Sequence, residues 1–396
     1  MPPPIIGVPA PGQEEQEATR ALTDVLRLTA TKEGGSLSMA RFMEICLYEP
    51  RWGYYTSGRV KFGWDGDFVT APELTPLFAR CIARQIAQVL EASDGDSILE
   101  IGAGSGLLAA ELMTSLRDLG RLPTRYYLFD LSEALRERQA KILQGLIPDL
   151  FSRVEWLDRL PAPAIRGAII ANEVLDALPV HCFFVEHGAI RERRVVWRDH
   201  GFGWSADTLF PTSLEARIER LLRALPTPLE SGYASEINLG LDAWFLSCYL
   251  SLARGALFCV DYGYPRVEYY HPQRREGTLI CHYRHGAHHD PLILLGLQDI
   301  SSFVDFTAAA EAACAAGFRL AGYASQAHFL LSCGIDQVLE NCQNRTPAHY
   351  LRDAQQAKSL LLPGEMGERF KVLALTKDVD QPLLGFRLFD HTERLV

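Results

Sequence analysis

No C-x-x-C pair occurs in this 396-residue sequence, and its nine cysteines are odd in number. Several of them lie in apolar runs. Both features argue against a disulfide framework and fit reduced, mostly buried thiols in a cytosol. No apolar run is long enough to cross a bilayer without charge, so no membrane insertion is expected. A surplus of positive charge is also missing. Lys and Arg number 39 against 49 Asp and Glu, for a formal net charge of −10. General binding to nucleic-acid phosphates is therefore a poor expectation, whereas a cationic, Arg-bearing protein segment would be attracted. Internal repeats are absent, and low complexity is confined to the first dozen residues. That proline-rich start and the acidic patch after it resemble neither a signal peptide nor an Arg-rich transit sequence. The expectation is a disordered tail over residues 1–16 and a cytoplasmic protein.

What the chain does have is apolar material. At 48% hydrophobic and 22% charged, it has the composition of an ordinary globular protein with room for a large core. The most informative stretch is Ser97-Ile98-Leu99-Glu100-Ile101-Gly102-Ala103-Gly104-Ser105-Gly106. It reads as a short buried strand, a glycine turn and the start of a helix over about 107–119. Glycines at alternate positions permit positive φ and close backbone approach to a ligand. The free N–H groups of the helix suit a carboxylate or phosphate. A dinucleotide fingerprint wants its third glycine at the sixth position, where Leu107 stands. Glu100, two residues before the first glycine, gives the acid-x-Gly-x-Gly-x-Gly pattern of S-adenosylmethionine methyltransferases. A dinucleotide site and a tight turn without ligand are the alternatives.

Helical spacing marks residues 17–30, stopped by Gly34-Gly35, and 39–47, capped by Ser38. A glycine- and aromatic-rich loop fills 51–75, and a helix follows from 76 to about 90. Strands are expected at 125–130, 154–157, 168–171 and 256–260, each ending at or next to an acid or an amide. Their alternation with helices predicts an α/β fold with a doubly wound, mostly parallel sheet. Ligands of such sheets lie beyond the carboxyl ends of the strands, which puts the acids on one rim. Residues 182–212 read as a hairpin-like insert, 213–225 and 236–254 as helices, and 264–302 as a second long polar loop. An alanine-rich helix is expected at 305–316. The last two strands are expected at 329–331 and 370–375, with helices at about 335–342 and 348–361 between them. The implied organisation is an N-terminal helical and loop region over 17–90, with a catalytic core over 91–181, 236–263 and 303–396. Inserted substrate or lid segments would occupy 182–235 and 264–302.

Asp130 ends the second strand, where a carboxylate can accept both ribose hydroxyls of an adenosine cofactor. Asp158 ends the third and could meet the adenine amino group. Asn172, Glu173 and Asp176 follow the fourth strand, where they would face the transferred group and orient an acceptor. As alternatives, Glu173 could favour a helix N-terminus and Asp176 could pair with a surface base. Glu73 could act in the site or satisfy helix N–H groups. The run Cys281-His282-Tyr283-Arg284-His285-Gly286-Ala287-His288-His289-Asp290 tempts a metal reading. With Arg284 among them and no helix to align them, these residues read better as a substrate or structural loop, and no metal is expected.

Several stretches together resemble the MidA family of S-adenosylmethionine-dependent methyltransferases. They are Gly66-Asp67-Phe68-Val69-Thr70-Ala71-Pro72-Glu73, the glycine turn from Glu100 to Gly106, and Ala171-Asn172-Glu173-Val174-Leu175-Asp176-Ala177-Leu178-Pro179. They continue with Asp261-Tyr262-Gly263-Tyr264-Pro265, the segments 271–279 and 362–373, all in order. The resemblance implies a class I, Rossmann-like methyltransferase fold with inserted lid segments. It implies that Gly102, Gly104 and Gly106 line the cofactor and that Asp130 holds its ribose. Members often carry Glu at the place of Asp130 and Pro at that of Ala103. Mitochondrial members methylate an arginine of a respiratory complex I subunit to the symmetric dimethyl form, so a protein arginine is the implied acceptor. On this basis Glu173, then Asp176 and Glu73, are the candidate catalytic residues. Glu100, Asp158 and Asn172 join the candidate cofactor set. A small-molecule methyltransferase and a non-catalytic, cofactor-binding assembly factor are the competing readings.

Overall fold

The structure is a computed structural model that describes residues 10–58, 70–207, 212–340 and 347–395. Two compact units emerge. One comprises Met1–Phe68, Asp176–Gly240 and Arg266–Phe303; the other comprises Val69–Leu175, Leu241–Pro265 and Val304–Val396.

The second unit is built on an eight-stranded sheet. Its strands are β1 (Ser97–Ile101), β2 (Arg125–Phe129), β3 (Val154–Leu157), β4 (Ile165–Asn172), β5 (Leu252–Tyr264), β6 (Val304–Asp305), β7 (Arg319–Ser325) and β8 (Phe370–Lys377). The order across the sheet is β7-β8-β5-β4-β1-β2-β3, with β6 paired to the end of β5. Strands β1 to β5 run parallel, and β8 is antiparallel to both its neighbours. Every residue of β1 is buried, as expected of a central strand covered on both faces. The order runs outward in opposite directions from the β1–β4 pair, so the chain's switch point lies at their carboxyl ends.

Helices α1 (Pro76–Ser93), α2 (Leu107–Asp118) and α3 (Glu133–Leu146) belong to this unit. Thr75 caps α1 by accepting from the Leu77 N–H, and Pro76 takes the first helical position, where no N–H is needed. Leu77, Ile82, Ile86 and Val89 of α1, with Leu112 and Met113 of α2, enter the core against the sheet.

The first unit has a five-stranded sheet in which Ala189–Arg198 pairs with Ser36–Ser38, His181–Glu186 and Gly201–Asp207, and His181–Glu186 also pairs with Ala234–Ile237. A three-stranded sheet joins Ile280–Tyr283 to Gly286–His288 and Asp299–Ser301. Helices Gln13–Lys32 and Met39–Tyr48 pack into a shared core with Leu22, Leu26, Phe42 and Ile300.

Several elements differ from the sequence expectation. The first helix begins at Gln13 rather than 17, with the Gly12 N–H donating to Glu15 at 2.8 Å. Ala234–Ile237 is a strand, and the helix expected from 236 starts at Leu241. Its partner is His181–Glu186, distant in sequence, so local periodicity could not reveal it. Phe329–Leu331 lies in the helix Gln326–Ser332, and the strand is β7 just before it. Ser325 accepts from the His328 N–H and starts that helix, and a three-residue apolar run does not separate strand from helix. The segment 264–302 is not one loop. Its histidine-rich part forms a hairpin whose turn residues Arg284 and His285 have φ of 49° and 62°. Residues 59–69 of the expected 51–75 loop, and 208–211 of the insert, lie outside the described residues. Among the described residues no helix is long and apolar enough to cross a membrane, and no group of three or more His, Cys, Asp or Glu could hold a metal ion.

Candidate active site

The switch point gathers most of the sequence-selected residues within the second unit. Gly102, Gly104 and Gly106 have φ of 69°, 54° and 89°. All three sit in the left-handed region that side-chain-bearing residues avoid. A Cβ on Gly102 would come within 3.0 Å of Val174 Cγ2, so the turn after β1 and the loop after β4 are closely apposed. Gly106 is the N-cap of α2, whose first N–H groups open toward the turn. This backbone offers N–H donors for the anionic end of a ligand.

Glu100 is buried within β1 and accepts from the Tyr126 hydroxyl at 2.6 Å. Burial pushes its carboxyl up to about 7; the Tyr126 hydrogen bond opposes the shift and the Asp130 charge adds to it. The ordinary value is 4.5, so the folded state binds the proton more tightly than the unfolded chain. The resulting stability is fully present below about pH 4.5 and is lost as pH rises through about 7. Its size is of the order of 3 kcal/mol. Urea unfolding between about pH 5 and pH 8 should show this loss in the wild type and a flatter profile in Glu100→Gln.

Asp130, just beyond β2, is also buried. Its Oδ1 accepts from the Ser132 N–H at 2.9 Å and its Oδ2 from Gln139 Nε2 at 3.0 Å. A carboxylate has about four acceptor positions, the chemistry that paired ribose hydroxyls require. Asp158 is ion-paired with Arg136 at 2.6 Å while its own side chain is 92% exposed. Arg136 also donates to the carbonyls of Asp130 and Leu157, tying the ends of β2 and β3 together.

Gln139 was not legible as a site residue. It sits in the middle of the charged helix α3 and is fully buried. Its Nε2 also donates to the Gly104 carbonyl at 3.1 Å, and its Oε1 accepts from Trp156 Nε1 at 2.9 Å. One amide thus joins the glycine turn, the ribose-site candidate and β3. Gln139→Leu would take one hydrogen bond from each of those groups, at about 1–3 kcal/mol for each left unpaired. Titration calorimetry with S-adenosylhomocysteine should show roughly tenfold weaker binding, about 1.4 kcal/mol.

Beyond β4, Asn172 Nδ2 donates to Glu173 Oε1 at 3.2 Å. Glu173 has φ of 54°, a strained conformation for a non-glycine residue. The strain is held from the next strand. The Glu173 N–H donates to the Val260 carbonyl at 2.8 Å, and Asp261 Oδ2 accepts from the N–H groups of Val174 at 3.2 Å and Leu175 at 2.9 Å. Asp261 was visible only as an acidic strand end; its task of holding the neighbouring loop depends on β4 and β5 being adjacent. Glu73 lies in the one-turn helix Ala71–Leu74, and its Oε1 accepts from the Ser105 hydroxyl. Asp176 falls in the other unit, where it is buried and its carbonyl accepts from the Ser302 N–H at 3.0 Å.

A central parallel sheet with one antiparallel strand, a triple-glycine turn at the switch point and a carboxylate at the next strand end define a class I S-adenosylmethionine-dependent methyltransferase. Residues 81–324 match the family described as "Putative S-adenosyl-L-methionine-dependent methyltransferase". A Burkholderia thailandensis protein crystallised with S-adenosyl-homocysteine is 41% identical, covers 98% of this chain and 100% of its own, and superposes with a TM-score of 0.93. A native crystal structure from the same organism is 40% identical at the same coverage, with a TM-score of 0.89. Among curated proteins, "Protein arginine methyltransferase NDUFAF7, mitochondrial" of Bos taurus is 26% identical over 92% of this chain and 86% of its own length. The Caenorhabditis elegans homologue is also 26% identical, over 92% and 88%. The chain belongs to the MidA family of methyltransferases, and S-adenosylmethionine is its cofactor.

Proposed function

We propose that this methyltransferase modifies an arginine side chain of a protein. The observation that carries the reading is Glu173, a carboxylate held in left-handed backbone at the switch point, in the loop apposed to the glycine turn. Such strain costs about 1–2 kcal/mol and persists because Val260 and Asp261 hold the loop. The names of the mitochondrial relatives, protein arginine methyltransferases, support the same acceptor. The acidic net charge of the chain suits a cationic segment. The expected setting is the cytoplasm, with no nucleic-acid partner.

The cofactor, when bound, supplies an electrophilic methyl group on a sulfonium. The three glycines would line it, with Asp130 on the ribose, Asp158 toward the adenine amino group and the N-terminus of α2 toward its carboxylate. Glu100 is buried in β1 and bonded to Tyr126, which ties β1 to β2 next to the turn. Arginine is a poor nucleophile because its guanidinium stays protonated. Glu173, oriented by Asn172, would grip two guanidinium nitrogens and draw the positive charge toward them. The third nitrogen is left richer in electrons and fixed in direction. The loop's hydrogen bonds to Val260 and Asp261 hold Glu173 in place, and positioning of this kind supplies much of the rate gain.

Glu173→Gln keeps the shape of the side chain and removes its charge. Methyl transfer to protein from radiolabelled S-adenosylmethionine, assayed in a lysate lacking the enzyme, should fall by roughly 100-fold, about 2.7 kcal/mol. The affinity for S-adenosylhomocysteine should stay within about twofold. Transfer at the wild-type level would contradict the assignment, and a labelled small molecule in place of a labelled protein would contradict the acceptor class.

A further inference from the structure

We propose that Glu73 holds the α-ammonium group of the cofactor's methionyl moiety, an inference that rests on the cofactor lying over the glycine turn. Glu73 is carried by a one-turn helix that precedes α1, far in sequence from the turn it touches. The contact is made through Ser105, the buried residue between the second and third glycines. Ser105 accepts from the Leu107 N–H at 3.3 Å and gives its own proton to Glu73 Oε1. Its hydroxyl is therefore committed in both directions, and the Glu73 carboxylate is fixed against the glycine turn.

That carboxylate is underused. Of about four acceptor positions, Ser105 fills one. Among the described residues the Glu73 side chain makes no further hydrogen bond and no ion pair. It is only partly exposed, and among the described residues no cation pairs with it. The methionyl end of the cofactor carries one anionic and one cationic group. The N–H groups at the start of α2 match its carboxylate. Glu73 supplies at the same turn the anionic acceptor that the ammonium requires. The sequence suggested either a helix-capping role or an acceptor-binding one for Glu73. Its hydroxyl contact at Ser105 favours a cofactor contact over both.

Two nucleosides separate these roles, because S-adenosylhomocysteine carries the amino-acid group and 5′-methylthioadenosine does not. In titration calorimetry on the full chain, Glu73→Gln should weaken S-adenosylhomocysteine at least about tenfold and leave 5′-methylthioadenosine within about twofold. Ser105→Ala, which frees Glu73 without removing its charge, should give a smaller loss with the same selectivity. Equal weakening of both nucleosides would assign Glu73 to shaping the turn, and unchanged affinity for both would assign it to the acceptor; either overturns the proposal. If the wild type bound neither nucleoside, the placement of the cofactor would itself fail. Should Glu73→Gln not fold, Ser105→Ala decides by the same two ligands.

Discussion

Gly102→Val should raise the dissociation constant for S-adenosylmethionine by roughly 100-fold, about 2.7 kcal/mol, without abolishing folding. Two effects add. Gly102 has φ of 69°, where an L-residue costs about 1–2 kcal/mol and a β-branched one more. The new Cβ would also sit 3.0 Å from Val174 Cγ2, so either the turn or the Glu173 loop must shift. A shift of the turn degrades the cofactor cradle, and a shift of the loop degrades the acceptor side. Titration calorimetry and a transfer assay together read both. Wild-type affinity for the variant would mean that the cofactor does not approach this backbone.

Asp261→Ala should slow the chemistry as much as Glu173→Gln does, and destabilise the fold as well. Asp261 is fully buried, and its two oxygens accept from the N–H groups of Val174, Leu175 and Tyr262. Removing them takes an acceptor from three backbone N–H groups, at about 1–3 kcal/mol for each left unpaired. The stability measured by urea unfolding should fall by about 3 kcal/mol or more. Turnover should fall by roughly two orders of magnitude, since displacing a positioning loop by about 1 Å can cost that much. The glycine turn is untouched, so S-adenosylhomocysteine affinity should change little. Equal losses in binding and turnover would show instead that the whole rim depends on Asp261.

The parts of the site that could be read in the sequence are those fixed by local backbone geometry. Gly102, Gly104 and Gly106 have positive φ, and only glycine takes such angles freely, so their spacing carried the turn directly. Asp130, Asp158 and Glu173 could be placed on one rim because parallel strands deliver their carboxyl ends to the same side. Gln139 was hidden because its three partners come from three separate segments and nothing in α3 distinguishes it from a surface glutamine. Asp261 was seen as a strand end, yet its partners depend on β4 lying beside β5. The Ser105–Glu73 contact spans 32 residues and joins a loop helix to the turn, a pairing that no periodicity encodes.

The fold shows the same division. The parallel strands of the second unit were legible as buried apolar runs between helices. The strand Ala234–Ile237 was not, because four residues carry too little pattern and its partner lies across an insert. Helix Gln326–Ser332 was masked by its apolar run Phe329–Leu331, whose capping serine precedes it by four residues.

A crystal of this chain grown with S-adenosylhomocysteine tests the central claim most directly. The expected density places the nucleoside against the turn from Gly102 to Gly106, with both ribose hydroxyls on Asp130 and the sulfur facing the loop that carries Glu173. A turn with its glycines closed over by side chains, or a nucleoside bound elsewhere, would contradict the account.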